Sequence, residues 1–94
     1  MYKIIHIKKA FYDLEEITEH LSQFYEGTVA RFNKELNKIY DILERNPYLF
    51  GVYIPNPQYH RCVVGNYLVF YKIFENPNIV EIHRVLHSAK NIKL

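Results

Sequence analysis

An α+β fold with the element order β-α-α-β-β-β is predicted by three observations. A short β-branched and aromatic run opens the chain, two apolar stripes at helical spacing lie on either side of Gly27, and three β-rich runs separated by turn signals close it. With 94 residues the chain is too short to split into two cores, and at 49% hydrophobic residues it can supply one. The expected architecture is a single domain over residues 1–94, with an N-terminal helical hairpin packed on a small, mostly antiparallel sheet.

The first strand is Tyr2 to Ile7, where no polar face marks solvent, so it reads as buried on both sides. After Lys8 and Lys9, apolar Phe11, Leu14, Ile17, Leu21 and Phe24 recur every three or four residues, with Asp13, Glu15, Glu16 and Glu19 between them. That is an amphipathic helix. Gly27 breaks it and Thr28 can cap a second helix, whose stripe of Val29, Phe32, Leu36, Ile39 and Leu43 runs to the stop at Asn46-Pro47. Each helix has one apolar stripe, which the remaining strands are expected to cover.

Pro47 to Gln58 holds three prolines and a glycine among aromatics and reads as an ordered surface loop. Tyr59 to Val64, the dipeptide Gly65-Asn66 and Tyr67 to Phe74 form the clearest hairpin signal, both turn residues being able to take positive φ. A second turn, Glu75 to Asn78, leads to Ile79–Leu86, in which Val80, Ile82, Arg84 and Leu86 alternate with Glu81, His83, Val85 and His87. A three-stranded antiparallel meander results, and Ser88 to Leu94 is left as a tail or last turn.

Composition narrows the function. The 16% aromatic content and few glycines and prolines exclude a disordered linker, and no apolar run approaches the ~20 residues of a membrane span. The single cysteine, Cys62, closes no disulfide and builds no cysteine zinc cage; it reads as a buried small hydrophobe in a cytoplasmic protein. Residues 1 to 44 carry six Lys/Arg against eight Asp/Glu, whereas residues 45 to 94 carry six against two, with no acidic residue after Glu81. A basic C-terminal half suits an anionic partner, or a surface kept charged for solubility.

The chain has no glycine-rich phosphate loop, no G-x-S-x-G and no H-E-x-x-H. His83 and His87 would lie on one strand face about 13 Å apart, too far to share a metal, so neither metal nor cofactor is expected. What remains is His60 and Arg61 on the first meander strand, Arg84 and His87 on the last, and Lys90 beyond it. Such groups suit cleavage of RNA through its own 2′-hydroxyl, with His87 as acid or base and Arg61, Arg84 and Lys90 on the phosphate. Each has a structural alternative. Arg84 can serve a carboxylate of the fold, His87 a strand-end hydrogen bond, and Tyr59, Tyr67 and Tyr71 can pack the sheet instead of stacking bases.

Three segments, taken with the element order, carry a resemblance that covers nearly the whole chain. They are Asp13-Leu14-Glu15-Glu16-Ile17, the stretch Arg61-(x)5-Tyr67-(x)2-Phe70-Tyr71, and Arg84-Val85-Leu86-His87-Ser88-Ala89-Lys90. Together they resemble the RelE/ParE superfamily of bacterial type II toxins. The resemblance implies a growth-arresting toxin held by an antitoxin whose acidic or partly disordered C-terminal segment wraps it. RelE-like members are ribosome-dependent mRNA endoribonucleases; ParE-like members poison DNA gyrase. Leu68 stands where several RelE-like nucleases place an arginine, and the Leu86-His87 ending with Lys90 is similar to the ParE type. The resemblance therefore favours ParE-like action on gyrase, with an mRNA interferase and an inactive antitoxin-binding relative as alternatives. It implies His87, and Arg61 beside it, as catalytic residues in the nuclease case alone, and Arg61, Arg84 and Lys90 as phosphate-binding or antitoxin-binding groups.

Overall fold

The computed structural model describes residues 1–94. Its elements are β1 (Lys3–His6), α1 (Lys8–Leu21), α2 (Thr28–Arg45), β2 (His60–Val64), β3 (Tyr67–Phe74) and β4 (Ile79–His87). The four strands form one sheet in the order β1-β4-β3-β2. The meander β2-β3-β4 is antiparallel, and β1 joins it parallel to β4, with Lys3 opposite Ile79 and His6 opposite Ile82.

Both helices lie on one face of this sheet. Ala10 and Ile17 of α1 and Phe32, Leu36 and Leu43 of α2 bury against Cys62, Val69, Tyr71, Val80 and Ile82. Burying a ring such as Phe32 stabilises the fold by roughly 2–3 kcal/mol. The α2 stripe is the one its periodicity predicts. The α1 stripe is narrower: Phe11 is 56% exposed, and the contact falls on Ala10, whose small side chain lets the helix approach closely. Phe24 lies beyond the end of α1 at Leu21 and is 57% exposed, resting edge-on against His20.

Four other sequence expectations are corrected. β1 is not buried on both sides; it is an edge strand with Lys3 and His6 exposed and Ile4 and Ile5 half-buried. Thr28 does not cap α2. Its hydroxyl donates back to the Tyr25 carbonyl, and Gly27, at φ 87°, takes the N-cap position. In the β2–β3 turn only Gly65 adopts positive φ, at 58°, while the Asn66 carbonyl accepts the Ser88 N–H at 2.8 Å.

The fourth correction bears on the site. Phe70 pairs with Arg84 but Tyr71 pairs with Ile82, so His83 is an extra residue in a β-bulge. The bulge resets the alternation: Val80, Ile82 and then Val85 face the helices, and Arg84 leaves the face it was expected to share with Val80 and Ile82. His83 and His87 no longer share a face either. His83 bonds Glu81 at 2.6 Å and packs edge-on against Tyr59, whereas His87 lies opposite Tyr67.

The loop after α2 is ordered, as expected. Pro47 is buried and its carbonyl accepts the Tyr71 hydroxyl at 2.7 Å. Further on, the Tyr53 N–H donates to the Tyr59 carbonyl at 2.7 Å and Val52 bridges His60. This path lays Tyr53 over Phe70, on the sheet face away from the helices, at a ring separation of 5.0 Å.

Candidate functional site

The last pair between β1 and β4 is His6 with Ile82, closed by the Ile7 N–H donating to the Ile82 carbonyl. From His83 onward, therefore, β4 has no strand neighbour on that edge. Asp13, on the second turn of α1, takes the vacated place. Its carboxylate accepts the Val85 N–H at 3.0 Å, Arg84 Nε at 2.7 Å and Arg84 Nη2 at 2.9 Å. The bidentate bond from Asp13 raises the Arg84 pKa above its ordinary value. One cation of the expected site is thus engaged in joining α1 to the sheet.

Beside this clasp, α1 and the end of β4 enclose a groove of about 560 Å³. Its floor includes Ile17, Tyr67 and Val85; one wall carries Glu16, Glu19 and His20, and the other carries His87 and Lys90. His87 packs edge-on against Tyr67 at 5.3 Å, and its Nδ1 accepts the Ala89 N–H at 3.0 Å. In the neutral ring the proton therefore sits on Nε2. Lys90 lies 3.7 Å from Glu16, an exposed pair worth about 0–1 kcal/mol.

Arg61 is not part of this groove. It sits on β2 opposite Phe70, across β3 from Arg84, and its guanidinium lies 6.0 Å from the centre of the Tyr53 ring. On the same side, Lys72 Nζ stands 4.9 Å from the Tyr59 ring centre and 3.5 Å from Gln58 Oε1. Neither cation has a carboxylate within ion-pair distance. His60 is taken up by the fold: it stacks on Tyr71 and its ring nitrogen bonds the Phe50 carbonyl at 2.9 Å. Burial pushes the Cys62 thiol up to about 12, which leaves it no nucleophilic thiolate at neutral pH.

Of the residues singled out in sequence, His87 and Lys90 come together, Arg84 stands behind the groove wall, and Arg61 lies on another strand. Sequence reasoning missed the acidic wall. Asp13, Glu16 and Glu19 read as the solvent face of α1, yet Asp13, Glu16, Ile17, His20 and Gln23 are spaced by three and four, the spacing of one helix face. No group of three or more His, Cys, Asp or Glu side chains is arranged to hold a metal.

A helical hairpin on a four-stranded mixed sheet with this topology is the architecture of the RelE/ParE superfamily. The structure is similar to that of the chromosomal ParDE TA system from P. aeruginosa, with a TM-score of 0.74 and 12% identity over 93% of this chain and 96% of that one. It is also similar to the archaeal RelE-RelB complex from Pyrococcus horikoshii OT3, with a TM-score of 0.60 and 16% identity over 96% and 98%. By sequence, residues 5–92 match the family described as ParE toxin of type II toxin-antitoxin system, parDE, and the chain belongs to that family. No curated protein matches it. None of its helices is long and apolar enough to cross a membrane.

Proposed function

We propose that this chain is the growth-arresting toxin of a type II toxin-antitoxin pair, acting in the ParE manner on DNA gyrase. The observation that carries the reading is the charge pairing at the end of β4. RNA cleavage needs an acid, a base and cations converging on one phosphate. Here Arg84 is bound by Asp13, Lys90 lies beside Glu16, Arg61 is on β2, and the groove that holds His87 also holds Glu16 and Glu19. Carboxylates on that wall repel a phosphodiester. Leu68 adds no cation where an arginine would help.

An antitoxin partner is supported by the two similar structures, a ParDE toxin-antitoxin system and a RelE-RelB complex. Arg61 and Lys72, unpaired on the outer sheet face, suit an acidic segment of that partner. The test is DNA supercoiling by purified gyrase in the presence of excess purified chain. Loss of supercoiling supports the reading, and undiminished supercoiling overturns it.

One observation favours a nuclease instead: His87 Nε2 carries a proton at the rim of an open groove. That reading requires new RNA 5′ ends within translated codons soon after induction, absent from a His87→Ala control.

A further inference from the structure

The C-terminal basic run implied a site for anions at the end of β4. The groove formed there has the opposite character on its α1 side. Glu19 makes no side-chain hydrogen bond or ion pair with any other residue, and Glu16, which acts on Arg84 through space, has only the exposed pair with Lys90 at 3.7 Å, weak enough for a docking cation to compete with. Asp13 is fully used by Arg84 and Val85. The floor, by contrast, is apolar.

This apolar character continues past the groove mouth. Phe24 packs on His20 at 5.0 Å, and Tyr25 beside it is 88% exposed. Exposed aromatics contiguous with an open apolar groove mark an interaction surface. An apolar side chain fits the floor, and a cation beside it meets Glu16 and Glu19. A partner carboxylate at the same place would face both of them across a partly desolvated groove.

We infer that the groove between α1 and β4 docks a segment of the antitoxin in which an apolar anchor is flanked by arginine or lysine. The inference rests on the toxin-antitoxin reading and refines it. The partner is not acidic throughout; its acidic stretch is left to the outer face with Arg61 and Lys72, and its basic, apolar stretch enters the groove. His87 Nε2–H, on the wall opposite Glu19, donates to a backbone carbonyl of the docked segment, which gives this histidine a use that needs no chemistry.

The test titrates the isotope-labelled full chain with two capped amphipathic peptides of about ten residues. They share leucines one helical turn apart and differ only in carrying arginine or glutamate beside them. The arginine peptide is expected to shift the amide signals of Ile17, His20 and Val85. It should bind roughly five- to tenfold tighter than the glutamate peptide, the worth of one or two partly exposed ion pairs. In a Glu16→Gln/Glu19→Gln chain that preference should fall to less than about twofold, while Leu-dependent binding persists. Equal binding of the two peptides, tighter binding of the glutamate peptide, or signals that move only on β2 and β3 would overturn the inference. Growth arrest on induction is scored separately. Arrest with no peptide preference removes the groove assignment alone, whereas absence of arrest removes the toxin reading on which it rests.

Discussion

Arg84 and Arg61 both lie opposite Phe70, one on each side of β3, yet they end in different states. Arg84 is clamped by a carboxylate that also completes the sheet edge, with side chains only 25% and 12% exposed. Arg61 lies over an exposed face against a tyrosine ring, with no counter-ion. An arginine on a meander strand is therefore not a functional residue by type. Whether a cation is available to a partner depends on whether an element distant in sequence has already neutralised it. Here β1 ends before β4 does, and that shortfall recruits Asp13 and with it Arg84.

The largest effect should come from breaking the clasp. Asp13→Ala leaves the Arg84 guanidinium half-buried and unpaired and orphans the Val85 N–H. It should cost about 2–3 kcal/mol of unfolding free energy in urea titrations. Arg61→Ala should stay within roughly 0.5 kcal/mol of the parent. Equal losses for the two substitutions would break the comparison.

A double-mutant cycle sharpens it. Asp13→Ala with Arg84→Leu removes the buried charge together with its partner, so the pair should cost less than the two single losses added, by about 1–2 kcal/mol. Additive losses would mean that Asp13 acts through Val85 alone.

These contrasts also show what could be read from the chain alone. Helical periodicity placed α1 and α2, and Gly65-Asn66 placed the hairpin, because each signal lies within a few residues. The parallel β1–β4 pair, the bulge at His83 and the Asp13–Arg84 clasp join positions some seventy residues apart, or depend on where another strand ends. Neither spacing nor propensity records them. The site suffered accordingly. Its basic residues were visible as letters, but the pairing of Arg84 and Lys90 with α1 was not, and the carboxylates of that helix read as a solvated face.

Lys90 tests the middle of the range. Its pair with Glu16 is exposed on both sides, so Lys90→Ala should cost no more than about 0.5 kcal/mol, and that cost should vanish in molar salt. A loss that persists at high salt would place Lys90 with Arg84 among the fold's own supports.

The smallest effect concerns a second carboxylate that, like Asp13, ties separate segments, but through neutral donors and in full solvent. Glu75 accepts the Tyr2 hydroxyl at 2.7 Å and the Tyr48 hydroxyl as well, linking the start of β1, the loop after α2 and the β3–β4 turn. The bonds from Tyr48 and Tyr2 lower the Glu75 pKa below its ordinary value of 4.5, and the bond to Glu75 is the main cause that raises Tyr2 from 10.0 to about 12. A lowered carboxylate contributes stability that is present above its unfolded-state value and is lost as pH falls through the folded one. The raised tyrosine contributes stability that is intact below pH 10.0 and is lost as pH rises toward about 12. Glu75→Gln should therefore lower the thermal midpoint slightly near neutrality and converge on the parent at both pH extremes, a flatter profile, whereas Asp13→Ala remains strongly destabilising at neutrality. An unchanged acid limb in Glu75→Gln would show that solvent screens this three-segment contact, leaving the half-buried Asp13 clasp as the one carboxylate tie that the fold depends on.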